Sequence, residues 1–338
     1  MGKHNEWHKI TTVEMHTGGE PLRIFTGGLP EIPGNSILEK RRYFRDHLDH
    51  IRRGTMFEPR GHADMYGAVI TEPLNKGSDF GTFFLHNEGY STMCGHAIIA
   101  LAKYALESGM IEKEGDEPLL NIDAPAGMIT ARAFRNGNKV ERASFRNVPS
   151  FLYLNDEVVE VPGIGKVRFD VAYGGAFYVF CEAEPLGLEL DRTHYYELID
   201  KGRRIKHAVM EQFEISHPYE EDLGFLYGTI FTGKAVNPAN HSRNVCIFAD
   251  GEVDRSATGT GVSARAALHH ARWELKTGER IRIESILGTT MDVEVQETLK
   301  YGPYRAVVPE VSGTSYFTGR NEIWFDPADP LKDGFIFR

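Results

Sequence analysis

Short apolar runs closed off by Gly, Pro, Asn or Asp recur along this chain and predict a fold built mainly of strands. In the first half they fall at Ile10–Glu14, Leu22–Thr26, Tyr66–Ile70, Thr82–Leu85, Leu119–Asp123, Met128–Phe134 and Ala143–Val148. In the second half they fall at Val167–Ala172, Phe177–Cys181, Gly228–Phe231, Val245–Ala249, Arg280–Ser285, Thr290–Val295 and Ala306–Val308. Ser36–Arg53 instead carries Ile37, Phe44, Leu48 and Ile51 as an apolar stripe. It predicts a surface helix with Lys40-Arg41-Arg42 and Arg52-Arg53 on a solvated face. Gly95–Leu106 is apolar nearly all round, with Lys103 its only charge, and Val262–Leu268 is Ala-rich. A helix without a polar face must be covered on every side, which predicts a sheet wrapped around it. The fold class is therefore α/β (α+β) in two similar lobes. The expected boundary is Val161-Pro162-Gly163-Ile164-Gly165, with 1–162 plus a returning 320–338 forming one lobe and 163–319 the other.

Each apolar helix is entered through a Gly-containing turn that delivers a chemically useful side chain. The first turn, Thr92-Met93-Cys94-Gly95-His96, places a lone cysteine at the helix start. Unpaired N–H groups and the partial positive charge there favour a thiolate and would also hold a carboxylate. The second turn, Asp254-Arg255-Ser256-Ala257-Thr258-Gly259-Thr260-Gly261, sets Thr258 where Cys94 stands in the first, 164 residues earlier. Two such units half a chain apart suggest related lobes meeting at one cleft. Asp254 adds a fixed carboxylate, so the pair of turns suits a zwitterion: helix ends for its carboxylate, Asp254 for its ammonium. The plainer readings are a buried structural cysteine, ordinary helix starts and a turn-capping aspartate.

Composition narrows the classes of function. The chain has 338 residues, 41% hydrophobic and 25% charged, with a formal charge of −10, which offers no basic surplus for nucleic acid. Three scattered cysteines, Cys94, Cys181 and Cys246, make no disulfide framework and fit a reducing, cytoplasmic setting. Cys181 and Cys246 sit in strand-like runs and read as core fillers. The first residues hold neither an apolar signal segment nor a myristoylation pattern, and no run is long enough for a membrane span. A zinc reading of His86, Cys94 and His96 lacks a clear fourth ligand.

Taken together, Met15-His16-Thr17-Gly18-Gly19-Glu20-Pro21, Pro59-Arg60-Gly61-His62, Met93-Cys94-Gly95-His96, Tyr173-Gly174-Gly175-Ala176-Phe177-Tyr178 and Asp254-Arg255-Ser256 with its Gly-x-Gly resemble the proline racemase family. The resemblance runs through to Asp329-Pro330-Leu331-Lys332-Asp333-Gly334-Phe335. It implies diaminopimelate-epimerase-like lobes, each a curved mixed sheet around a central helix, a homodimer, and no metal or organic cofactor. The departure from the family pattern carries more information. Two-base racemases of the family have a second cysteine where this chain has Thr258, and a proline where it has Ala257. A threonine hydroxyl is too weak an acid or base for that role near neutral pH. The Cys/Thr pairing resembles the branch whose members dehydrate trans-3-hydroxy-L-proline.

The chemistry agrees with that branch. In this substrate the 3-hydroxyl and the C2 hydrogen share one ring face, so a single thiolate could take the proton and return it to the departing hydroxyl. The product would be an enamine that isomerises to Δ1-pyrroline-2-carboxylate. The expected roles are Cys94 as general base and backbone N–H groups of Gly95, His96, Gly259 and Thr260 on the carboxylate. Asp254 is expected on the ring ammonium, and Thr258 on the substrate or merely filling space. His16 and His62 are expected to make structural hydrogen bonds. The competing functions are a hydroxyproline or proline epimerase, separated by its product, and a non-catalytic imino-acid-binding protein, which would have no need of a thiolate.

Overall fold

A computed structural model describes residues 7–337; residues 1–6, on which the leader and myristoylation readings rest, lie outside them. The chain opens with strands β1 (His8–Thr17) and β2 (Glu20–Gly27), helices α1 (Ile37–His47) and α2 (Asp49–Met56), and strands β3 (Tyr66–Thr71), β4 (Phe80–His86) and β5 (Gly89–Ser91). The buried helix α3 (Gly95–Glu107) follows, then β6 (Leu119–Ala124), β7 (Gly127–Asn136) and β8 (Lys139–Arg146). The second series is β9 (Ser150–Val161), β10 (Gly165–Tyr173), β11 (Phe177–Glu182), α4 (Tyr195–Gln212), β12 (Leu226–Gly233), β13 (Ser242–Phe248) and β14 (Glu252–Val253). It ends with α5 (Gly259–Ala271), β15 (Arg280–Glu284), β16 (Thr290–Tyr301), β17 (Tyr304–Gly313) and β18 (Ser315–Phe325).

Strand pairing makes the internal repeat explicit. In the first half β1–β2 is antiparallel, β2–β3 parallel, β3–β4 antiparallel, β4–β6 parallel, and β6–β7 and β7–β8 antiparallel. The second half follows the same sequence of senses through β10–β11, β11–β12, β12–β13, β13–β15, β15–β16 and β16–β17. The outermost partners also correspond: β18 pairs with β1 as β9 pairs with β10. A further β9–β17 pairing closes the second set into a ring, and β8–β17 joins the two sets. Residues 162 and 163, expected between the lobes, form the turn from β9 to β10, both of which pack on α5.

The parallel steps need crossover connections, and helices supply them at matching places: α1 and α2 between β2 and β3, α4 between β11 and β12. The central helices are covered as their composition demands. Every residue from Gly95 to Leu106 except Tyr104, and from Gly259 to Leu268, is buried.

The expected helix over 36–53 is two helices. Ser36 caps α1 by accepting the Glu39 N–H, and the chain leaves helical geometry at Leu48 before α2 begins. Its basic residues are only partly a solvated face: Arg53 is exposed and Arg42 half-exposed. Lys40, Arg41 and Arg52 are buried: Lys40 Nζ donates to the Ile32 carbonyl, Arg41 to the Ser91 carbonyl, and Arg52 pairs with Asp49 at 2.6 Å. Arg42 reaches Asp222 of the second half at 2.8 Å. Carbonyl oxygens and carboxylates replace water around these cations, which lets a charged run lie inward.

The starts of α3 and α5 abut. A Cβ on Gly95 would lie 2.8 Å from the Gly259 Cα, and one on Gly259 would lie 2.8 Å from the Gly95 Cα. Only paired glycines permit this approach, since the atoms in the way are backbone and cannot swing aside. Gly259→Ala should therefore cost about 1–3 kcal/mol of stability as overpacking, and should lower activity further by parting the two helix ends. Urea unfolding with an unchanged midpoint, together with full activity, would show that the contact is not tight.

Candidate active site

The abutting helix ends frame a small cavity of about 20 Å³, large enough to hold a water. Cys94, Gly95, His96, Asp254, Thr258, Gly259 and Thr260, the seven residues expected from the sequence, all line it. Glu20, Tyr66, Tyr178, Tyr227, Cys246 and Phe248 complete much of the wall. Sequence reasoning missed this second group because strands β2, β3, β11, β12 and β13 bring it in from distant segments. The one local hint was that Glu20 and Tyr178 stand inside the quoted motifs. Cys181 lies buried in the core as expected, whereas Cys246 is part of the cavity wall beside Thr258. A larger groove of about 560 Å³ lies away from these residues, and charges along it already pair with one another, as in Arg272–Asp170 and Arg168–Asp156.

Cys94 and Thr258 occupy equivalent places, each the residue before the first turn of its helix. The first helical hydrogen bonds run from Ile98 N–H to the Cys94 carbonyl and from Val262 N–H to the Thr258 carbonyl. N–H groups ahead of these have no acceptor within the helix, so both helix ends present donors towards the cavity. Thr258 holds φ 67°, a left-handed conformation that a β-branched residue rarely adopts, and its buried hydroxyl bonds the sulfur of Cys246. The Tyr173–Tyr178 motif packs over the same point. A Cβ on Gly174 would meet the Thr260 carbonyl at 2.2 Å, and the Tyr178 hydroxyl bonds Thr260 Oγ1 at 2.7 Å.

The sulfur of Cys94 sits among hydrogen-bonding groups. His96 Nδ1 lies 3.0 Å away, and the Ala97 N–H and the Tyr66 hydroxyl also bond it. These contacts favour a thiolate, but burial outweighs them and pushes the thiol well above its ordinary value near 9, helped by the negative charges of Asp254 and Glu20. The depressed pKa expected from the helix start is thus overturned: desolvation exceeds the helix-end field. Burial likewise lowers the His96 pKa, leaving a neutral ring that also bonds the Pro21 carbonyl. Glu20, fully buried beside Asp254, is pushed well up. Asp254 does cap a turn, accepting the Ser256 N–H at 2.7 Å, and it also lines the cavity.

The remaining histidines take structural places. His16 Nδ1 accepts the Gly19 N–H at 3.2 Å, and the His62 ring bonds the Ala63 carbonyl. His86 faces Glu252 of the second half at 2.9 Å, a buried contact between lobes. Among the described residues the one group of side chains close enough to share a metal is Glu189, Asp191 and His194, so His86, Cys94 and His96 do not form such a group. No helix among the described residues is long and apolar enough to cross a membrane.

A sequence profile described as proline racemase matches residues 12–336. The trans-3-hydroxy-L-proline dehydratase of Colwellia psychrerythraea is 52% identical over 329 residues, covering 97% of this chain and 93% of that protein. The protein of the same name from Homo sapiens is 45% identical over 335 residues, covering 97% and 95%. Among solved structures, a hydroxyproline epimerase from Agrobacterium vitis with bound trans-4-hydroxy-L-proline superimposes with TM-score 0.92 at 26% identity, covering 98% of this chain and 96% of that one.

The raised thiol has a measurable signature. In the ligand-free protein, iodoacetamide labelling of Cys94, followed by peptide mass mapping, should be slow at pH 7 and still rising at pH 9. A labelling rate that levels off below pH 8 would mean that the helix-end donors overcome burial.

Proposed function

The chain belongs to the proline racemase family, and we propose that it is a trans-3-hydroxy-L-proline dehydratase, a hydro-lyase that works with its own side chains. The observation that carries this reading is the asymmetry of the two equivalent helix starts: a thiol at Cys94, a hydroxyl at Thr258. Relatives bearing that name at 44–52% identity over nearly the whole chain support it.

The substrate carboxylate lies against the N–H groups of Gly95, His96, Gly259 and Thr260, which stabilise the charge it gains as C2 loses its proton. Asp254 holds the ring ammonium. That cation offsets the carboxylate charge which opposes ionisation of Cys94 in the empty cavity, so binding favours the thiolate where it is needed. Cys94 takes the C2 proton, the C3–O bond breaks on the same ring face, and water leaves. The enamine then isomerises to Δ1-pyrroline-2-carboxylate. Thr258, which lines the same cavity, meets the substrate. The family resemblance supports a homodimer, and three free cysteines support a cytoplasmic setting.

The likeness to a hydroxyproline epimerase favours one second reading, epimerisation at C2, and the product distinguishes the two. Dehydration yields an imine that borohydride reduces to proline, whereas epimerisation leaves the hydroxyl in place. Cys94→Ser should lower dehydration by about 10²–10⁴-fold without unfolding the protein, since a serine hydroxyl is hardly ionised at neutral pH; wild-type turnover in that variant would refute the role of the thiol. Activity should survive exhaustive EDTA dialysis, and loss restored by zinc would require a metal site. In D₂O the wild type should not invert L-proline, while Thr258→Cys should gain weak inversion with deuterium at C2. Clear inversion by the wild type would reveal an acid on the second face and refute the dehydratase assignment.

A further inference from the structure

We propose that Tyr66 is a further catalytic residue of this reaction: its hydroxyl stands beside Cys94 and passes the proton to the departing 3-hydroxyl. The inference rests on the dehydratase reading and adds to it the group that completes the elimination.

Tyr66 begins β3 and lines the cavity, 3% exposed, with its ring edge-on to His96 at 4.8 Å between centroids. Its hydroxyl bonds Ser91 Oγ, the Tyr227 hydroxyl and the sulfur of Cys94. A phenol has one hydrogen to give and can accept others. With Ser91 and Tyr227 both donating to the Tyr66 oxygen, the Tyr66 hydrogen is left for the sulfur, which orders a chain from Ser91 through Tyr66 to Cys94. Burial, followed by the charge of Cys94, holds the Tyr66 phenol well above its usual range, so it remains a donor whatever the state of the thiol.

Stereochemistry then decides what this donor faces. The 3-hydroxyl and the C2 hydrogen of the substrate share a ring face, so the leaving group lies on the side that presents its hydrogen to Cys94. Tyr66 is the hydroxyl bonded to that base, whereas Thr258 belongs to the start of the other helix. Without Tyr66, one sulfur must meet C2 and then reach the oxygen on C3. With it, the protons balance over a short path. Sγ of the thiolate takes the C2 proton; the C2–C3 double bond forms as the C3–O bond breaks; the leaving oxygen takes the Tyr66 hydrogen and departs as water; and Tyr66 Oη recovers a proton from Cys94 Sγ. Both residues return to their starting states, and no oxidant or cofactor is consumed.

Tyr66→Phe keeps the ring and its packing and removes only the hydroxyl. Wild type and variant are incubated with trans-3-hydroxy-L-proline in D₂O, and two rates are read: imine formation, and deuterium entering C2 of unreacted substrate. Tyr66→Phe should form imine about a hundredfold more slowly, within the range expected for loss of a general acid, while C2 exchange continues. The ratio of exchange to elimination therefore rises. Dehydration within about threefold of wild type, below any general-acid contribution, would overturn the proposal. So would an equal fall in both rates, which would mean that Tyr66 serves only the thiol. If Tyr66→Phe does not fold, Ser91→Ala decides: it removes one donor behind Tyr66 and should raise the same ratio by a smaller factor, and an unchanged ratio overturns the proposal. Absence of imine from the wild type would instead remove the substrate assignment, and that is read from the wild-type arm alone.

Discussion

Two helix N-termini pressed together at Gly95 and Gly259 are the contact around which this molecule is organised. Like ends of helix dipoles repel, and each end leaves donors without intrahelical acceptors. Bringing them together is unfavourable unless something negative lies between them, so the fold builds an anion site simply by making its two lobes meet. Much else follows from that contact. Glycine is needed at both positions because the opposing atoms are backbone. Gly174 lies over the first turn of α5, where any side chain would strike the Thr260 carbonyl. Buried contacts between lobes, such as His86–Glu252 and Arg255–Asp64, hold the two sets of strands in register around the cavity.

The same geometry sets the charge balance of the site. Burial favours the neutral forms of Cys94, Glu20 and His96: it raises the thiol and the Glu20 carboxyl and lowers the His96 ring. The Asp254 charge raises both Cys94 and Glu20. In the proposed binding mode a substrate ammonium beside Asp254 would reverse the sign of that effect and so tie a reactive thiolate to the presence of substrate.

Much of this was legible in the chain. The half-chain repeat was visible in two Gly-rich turns opening apolar helices, because that combination reports both a helix start and complete burial. All seven residues read from those turns share one cavity. Elements escaped where the local pattern carried too little contrast. Strands β9 and β18 hold polar stretches such as Leu154-Asn155-Asp156-Glu157 and Thr318-Gly319-Arg320-Asn321-Glu322, so period-two alternation is weak even though both strands pair over most of their length. Helix α4 had a usable signal that went unread: Leu198, Gly202, Ile205 and Val209 recur at helical spacing and form its buried face. The basic run in α1 misled because a sequence shows cations but not the carbonyls and Asp222 that surround them. Tyr66, Tyr227 and Phe248 could not be assigned from local sequence, since an aromatic residue in a strand reads as core until the fold shows which wall it faces.

The repeat also sharpens the meaning of Thr258. Equivalent frames place Cys94 and Thr258 at equivalent points, but the backbones differ: Cys94 is extended at φ −144°, while Thr258 is held at φ 67°. A β-branched residue in that region costs on the order of 1–3 kcal/mol, and glycine would adopt it without strain. A residue chosen for stability would avoid that penalty. It is explained if the strained turn sets the hydroxyl, which bonds the Cys246 sulfur, against the ring of the substrate, which would make the turn a preformed contact rather than a vacated second thiol.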